Sequence, residues 1–274
     1  MRRTLKLTIA YDGTHYAGWQ RQANAISIQQ VIEDELAPIL GARTPLIAAG
    51  RTDSGVHAGA QVASLRTEHP IGCEDLMRAL NARIKGGDIR IRAVEQAPDG
   101  FNARADATSK TYRYAIWNGS APSPFYRHVV WHVPQPLDLD RMRSAAGALI
   151  GEHDFVAFQG RGTDVLTTVR RVRSAEITET DLREDLPFAL PPLDALMGNG
   201  VDGACESPGR LLRFEITGNG FLRHMVRTIA GTLVDIGRGN MEPGAMAAII
   251  ASKDRARTGQ TAPAKGLMLW KVTY

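Results

Sequence analysis

One order of hydrophobic periods runs through the chain twice, and that limits what it can fold into more than any other feature. LKLTIAY, residues 5–11, alternates with period two and puts Leu5, Leu7, Ile9 and Tyr11 on one face, as a half-buried strand does. SIQQVIEDELAPIL, residues 27–40, has helical spacing through Ile28, Val31, Ile32 and Leu36, and Ser27 with Gln30 makes a capping box at its start. A short apolar run at 46–49 enters a glycine loop, QVASL (61–65) leaves it as a strand, and a helix at 74–84 and a strand at 88–96 follow. The order then recurs: strand 111–117, helix 138–151, strands 169–180 and 210–218, helix 221–237, strand 267–274. Each half reads β-α-β-β-α-β, the ferredoxin-like or split βαβ order. The expected fold class is therefore α+β. Two ferredoxin-like halves, 1–107 and 108–274, would have their sheets joined side by side around a central cleft, a natural place for a long ligand. Residues 181–209, rich in proline and without periodicity, read as an acidic surface insertion between two strands.

Charge narrows the partner. The 274 residues carry a net +4, but the window 176–206 alone holds eight acids against the single base Arg183. The rest of the chain has 32 basic and 21 acidic residues, a net of +11. A clearly basic body favours a polyanion, most simply nucleic acid. A solvated, arginine-rich surface would give the same count. No run of eighteen apolar residues exists, so no membrane partner is expected. MRRTLKLTIAYDG lacks the long apolar stretch of a secretory signal. Only Cys73 and Cys205 occur, which fits a reducing cytoplasm.

The glycine loop is GRTDSGVHAG, residues 50–59. Gly50 and Gly55 have the spacing of a phosphate-cradling P-loop, but Val56 and His57 stand where Lys and Ser or Thr should be, and a strand follows rather than a helix. A nucleotide-binding role fails on that. What the loop does offer is Asp53 between Arg51 and His57, on a backbone free to turn sharply. Arg51 and Asp53 read either as a loop-fixing ion pair or as a restrained carboxylate able to act as nucleophile or base. A metal site is not expected: His128 and His132 have i,i+4 spacing, but RHVVWHVP is a strand-like segment ending in proline, and no cysteine cluster or H-E-x-x-H occurs.

Three further places draw notice. Tyr112 and Tyr114 share one side of a strand beside Lys110 and Arg113. They suit either base stacking with phosphate contacts or a place in the core. Arg223 and Arg227 lie one helical turn apart above the stripe Leu222, Met225, Val226, Ile229 and Leu233. They are either solvated or aimed at a carboxylate or phosphate. YAGWQRQ, 16–22, sets Tyr, Trp and Arg in a loop suited to touching RNA.

GRTDSGVHA closely resembles the signature of the TruA family of tRNA pseudouridine synthases, commonly GRTDAGVHA. YDGTHYAGWQRQ, FNARADATSKTYRYAIW, LIGEHDFVAF, GNGFLRHMVRTIAGTLVDIGRG and APAKGLMLWKV resemble further blocks of that family, in the family's order and across nearly the whole chain. Ser54 stands in place of the usual Ala, Arg104-Ala105-Asp106 in place of the commoner Arg-Phe-Ser, and the 181–209 insertion is longer than the family pattern suggests. None of these removes a group the chemistry needs.

The resemblance implies the pseudouridine synthase fold and isomerisation of uridine to pseudouridine at nucleotides 38 to 40, in the anticodon arm of tRNA. It implies that Asp53 is the nucleophile, that Arg51 pairs with it, that Tyr112 stacks on the target uracil and that Arg227 contacts the aspartate. Leu267 would floor the pocket, and Lys110 and Arg223 remain cations suited to phosphates. It further implies a homodimer in which one tRNA touches both subunits. The reaction breaks N1–C1′, turns the base and rejoins it through C5, so no cofactor, metal or energy donor is expected. A base stacked in RNA must first be flipped out. Asp53 could attack C6, attack C1′ or deprotonate C2′. A non-catalytic RNA-binding protein, and a pseudouridine synthase acting on another RNA, are the alternatives.

Overall fold

The computed structural model describes residues 2–122, 124–160, 162, 165–180 and 209–274, so all but the last residue of the expected acidic insertion at 181–209 lies outside the described residues. The chain separates by internal contacts into two compact units. One comprises 1–112, 217–223 and 267–274; the other comprises 113–216 and 224–266.

The first unit contains β1 (Arg3–Tyr11), α1 (Ile28–Leu40), β2 (Ile47–Ala48), β3 (His57–Thr67), α2 (Cys73–Arg83) and β4 (Ile89–Ala97). β1 pairs antiparallel with β3 and with β4, and β2 lies antiparallel on β3 through Ile47↔Ser64 and Ala48↔Ala63. The order β4-β1-β3-β2 is the ferredoxin-like arrangement that the hydrophobic periods predict. The predicted face of β1 is the core: Leu5, Leu7 and Ile9 are fully buried and Tyr11 nearly so. Ile28, Ile32 and Leu36 of α1 and Leu76 and Leu80 of α2 are buried with them, each worth about 1.5–3 kcal/mol against leaving it in water. Ser27 caps α1 by accepting from Gln30 N, as the sequence indicates. The last strand, β10 (Leu267–Thr273), returns to this unit and runs parallel to β3, with Met268 opposite His57 and Leu269 opposite Ala58. It therefore occupies the stretch of the β3 edge next to the glycine loop, while β2 covers the stretch further on.

The second unit contains most of β5 (Ser109–Asn118), then β6 (Trp131–Val133), α3 (Leu139–Gly147), β7 (Gly151–Asp154), β8 (Val169–Thr180), most of β9 (Arg210–Gly218), α4 (Met225–Gly237) and α5 (Ala245–Ser252). Its strands run β5-β9-β8-β7, with β6 parallel to β5 and β7 antiparallel to β8. The predicted strands at 169–180 and 210–218 match to within a residue. Two helices differ. The helix at 138–151 ends at Gly147, capped by Asp138 at its start, and residues 151–154 form β7 instead. The helix at 221–237 begins only at Met225, because His224 adopts the left-handed backbone (φ 62°). Arg223 therefore precedes the helix, and the face it was expected to share with Arg227 does not form. No described helix is long and apolar enough to cross a membrane. The architecture is α+β, as expected.

Candidate active site

The glycine loop lies between β2 and β3 and is gripped from behind by the segment after β1. Thr52 is buried; its Oγ1 shares a 2.8 Å hydrogen bond with Tyr11 Oη, and its carbonyl accepts from Trp19 N at 3.1 Å. Gly55 N and Ser54 Oγ both donate to the Tyr16 carbonyl, at 3.3 and 3.2 Å. Val56 N returns to Asp53 O at 3.1 Å, closing a turn in which Gly55 takes φ 76°, a conformation side chains other than glycine rarely adopt. Gly50 O, at the loop entrance, accepts from the buried Gln61 at 2.8 Å. Thr52 thus points into the protein and is pinned there, while its neighbours are less covered: Arg51 is exposed and Asp53 half-buried.

Two glycines make the close approach of these segments possible. A Cβ on Gly13 would lie 2.0 Å from the Val56 carbonyl oxygen. A Cβ on Gly18, itself at φ 83°, would lie 2.5 Å from the Thr52 carbonyl oxygen. Beside them, Nδ1 of the buried His57 lies 3.0 Å from Asp12 Oδ1 and 3.1 Å from Gly13 N. Burial alone would raise the Asp12 carboxyl. The hydrogen bonds from His57 and from the Thr14 side chain and backbone outweigh it and hold the group well below the usual carboxylate range. YDGTHYAGWQ is therefore the rear wall of the Asp53 loop. This corrects the expectation of an RNA-contacting loop at 16–22. Trp19 is 2% exposed with its ring 6.1 Å from that of Tyr11, and Arg21 pairs with Asp34 at 2.7 Å and Glu33 at 3.5 Å. The dipeptide Asp12-Gly13 signals a turn in the sequence, but nothing local announces that it packs against residues 52–56.

Tyr112, Lys110 and Leu267 come to the same region of the first unit. Tyr112 is not an exposed ring. It is 7% exposed and meets Phe221 edge-on at 5.2 Å between centroids. Burial pushes its phenol well up, and the charges of Tyr11 and Asp53 push it further the same way, so it is neutral at any working pH. Tyr11 is likewise pushed up to about 12 by burial, against the opposing hydrogen bonds of Thr52 and Gln61. The Lys110 stem runs past Gly50, where an added Cβ would lie 3.4 Å from its Cε; burial and then Arg104 lower its pKa. Leu267, 5% exposed, opens β10 one residue before the Met268↔His57 pair, beside the loop exit. Arg223 is exposed, two residues beyond Phe221.

Two expectations fare differently. Arg51 makes no ion pair within 4 Å among the described residues, so the Arg51–Asp53 bridge is not formed here: the loop turns the guanidinium outward to solvent. Tyr114 is a core residue of the second unit, fully buried, its hydroxyl donating to Pro263 O at 2.7 Å. Arg227, also in the second unit, sits in the first turn of α4. Its Nε donates to Ala262 O at 2.8 Å and its carbonyl accepts from Ala262 N at 3.1 Å. Gly231 permits that contact, for a Cβ there would lie 1.7 Å from the Gln260 carbonyl oxygen.

Chemically, the first unit presents a half-buried carboxylate on a rigid turn, a buried neutral phenol, an apolar residue and cations nearby. That set suits nucleophilic attack on, or proton abstraction from, a flat neutral substrate bound to a polyanion. Comparison with known proteins agrees. A family model described as tRNA pseudouridine synthase matches residues 7–104 and 145–274. The chain is 42% identical over 272 residues to the tRNA pseudouridine synthase A of Pelobacter propionicus, covering 99% of this chain and 100% of that one. It is 41% identical to the protein of the same name from Geotalea uraniireducens and 40% to that from Geobacter sulfurreducens, with the same coverage. A carboxylate loop of this form, in this fold, with likeness from end to end, leaves one conclusion: the chain belongs to the tRNA pseudouridine synthase family.

Proposed function

We propose that this isomerase, which converts uridine to pseudouridine in tRNA, acts at nucleotides 38 to 40 of the anticodon arm with Asp53 as its nucleophile. The observation that supports Asp53 is its presentation: a half-buried carboxylate on a loop fastened through both neighbouring peptides, with a buried, neutral Tyr112 close enough to feel its charge. Such a carboxylate is held ready rather than reorganised during reaction. A flipped-out uracil would lie against Tyr112 with Leu267 beneath it. Arg227 would contact Asp53, and Arg51, Arg223 and Lys110 would meet phosphates. With Arg51 turned to solvent, an approaching phosphate is a better partner for it than Asp53. The bond N1–C1′ breaks, C5–C1′ forms, and the C5 proton leaves while N1 gains one, so no cofactor enters the balance. A homodimer sharing each tRNA, residence in the cytoplasm, and a domain division at 107/108 following the repeated element order belong to the same proposal.

The test uses a tRNA transcript carrying uridine tritiated at C5, since forming the C5–C1′ bond expels that hydrogen. Wild type should release tritium. Asp53→Asn should lose about 10⁴-fold or more in turnover while keeping much of its tRNA affinity, because binding is spread over many phosphates. Turnover near wild type in Asp53→Asn would sink the role given to Asp53.

A further inference from the structure

We propose that the turn bearing Phe125 and Arg127 is a stacking platform for an unpaired nucleotide of the RNA substrate; this rests on the tRNA function above. Phe125 is 65% exposed, more than any other Phe, Tyr or Trp among the described residues. The ring is not loose. Pro124–Tyr126 forms a 3-10 turn, and Tyr126 beside it is 1% exposed and stacks on Trp117 at 6.5 Å and 24°. Val130 and Leu211 complete that buried cluster. Arg127 N closes on Pro124 O at 3.3 Å, Val129 N closes on Tyr126 O at 3.0 Å, and Arg127 Nη1 donates to Pro124 O at 2.9 Å. Phe125 is thus held outward by an anchored neighbour, which lowers the entropy lost when something stacks on it.

Two cations belong to the same turn or are bonded to it. Arg127 is exposed, and Lys265 Nζ donates to the Arg127 carbonyl at 3.0 Å. Lys265 belongs to the short turn Ala264–Gly266, which Tyr114 fixes from below. The Tyr114 hydroxyl donates to Pro263 O, and a Cβ on Gly266 would fall 2.7 Å from the Tyr114 ring. The next residue in the chain is Leu267. The platform is therefore tied by one hydrogen bond to the segment that leads directly into the proposed floor of the base pocket. An exposed ring on a turn that also carries Arg127 and holds Lys265 suits a nucleotide, whose base stacks while its phosphate meets the charge. That complementarity, with tRNA as the substrate, favours RNA over a protein partner at this surface.

The experiment places 2-aminopurine in the anticodon loop of an unmodified tRNA transcript and titrates it with the full chain. Stacking should quench the fluorescence. Phe125→Ala should abolish the quench and weaken binding roughly tenfold, the scale of one lost base–aromatic stack. Turnover at saturating tRNA and the unfolding temperature should stay unchanged, and Phe125→Trp should restore both quench and affinity. Arg127→Gln should reduce the slope of log affinity against log salt by about one. Binding by Phe125→Ala equal to wild type overturns the platform. So does a change in sedimentation without a change in RNA affinity, which would mean that a protein covers the ring. Failure of wild type to release tritium would instead overturn the functional reading itself.

Discussion

Gly13→Ala is the substitution that most directly tests whether the rear wall positions Asp53. The new Cβ would sit 2.0 Å from Val56 O and 2.7 Å from Val56 C, about 1.4 Å inside the 3.4 Å at which ordinary contact begins. Both obstacles are backbone, so no side chain can swing aside. Gly13 has no left-handed φ to lose, so the whole effect is steric. Overpacking of this kind costs about 1–3 kcal/mol. At roughly 2–4 °C per kcal/mol for a chain of this size, the unfolding temperature should fall by about 2–12 °C. The catalytic effect should be larger. Val56 N is bonded to Asp53 O, so a shift of Val56 carries Asp53 with it. A displacement of about 1 Å at a reacting group lowers rate by about 10²-fold. Single-turnover tritium release with enzyme in excess, run well below the unfolding midpoint, separates this from binding and from loss of folded protein. A rate within twofold of wild type, alongside the expected loss of stability, would refute the reasoning, because it would show that Asp53 keeps its place without the rear wall.

Asp12→Asn should cost about 1 kcal/mol at pH 7, a modest figure because the carboxylate is 40% exposed and screened by solvent. The native carboxyl is held below its ordinary value, so its stabilisation is present above about pH 4 and fades as pH falls through the native pKa; urea unfolding at pH 7 and pH 3 should show the gap between wild type and variant shrink at the lower pH. Gly231→Ala drives a Cβ to 1.7 Å from Gln260 O and must displace the segment that carries Ala262, the acceptor of Arg227 Nε. Turnover should fall about tenfold or more with little change in tRNA affinity, measured by tritium release and filter binding, whereas unchanged turnover would separate Arg227 from the reaction.

Much of this molecule is legible in its sequence because the signals are local. Alternation placed β1, β8 and β9 nearly to the residue, and Ser27 marked the start of α1. Asp53 stood out because the glycines around it lack the lysine a phosphate loop needs. Backbone conformation and non-local packing were not legible. Nothing in HMVR says that His224 turns left-handed, so the helical pattern starts four residues before the helix does and puts Arg223 on a face that does not exist. Tyr112 and Tyr114 alternate with polar residues as a solvent-facing pair would, yet both are buried, because Phe221 and Pro263 reach them from far along the chain. In the sequence, the company of Tyr16 and Arg21 makes Trp19 look like an RNA contact. The ring instead lies inside, against Tyr11, and Arg21 is held by α1. The role of Gly13 and Gly18 lies in their close approach to residues 52–56, which no local sequence signal marks.

The return of β10 to the unit that holds the Asp53 loop has a consequence for how the protein is made. Translation delivers the Asp53 loop long before residues 267–273, the strand that lines the adjoining edge of β3. Until residues 267–274 emerge, that stretch of edge has unsatisfied backbone groups and Leu267 is missing from its place beside His57. A nascent chain can build β1 to β4 early, but pairing that spans most of the polypeptide is slow to close. A product cut short before residue 267 would then carry Asp53 without the strand that borders its loop, so assembly of this unit waits on a segment made long after the loop itself.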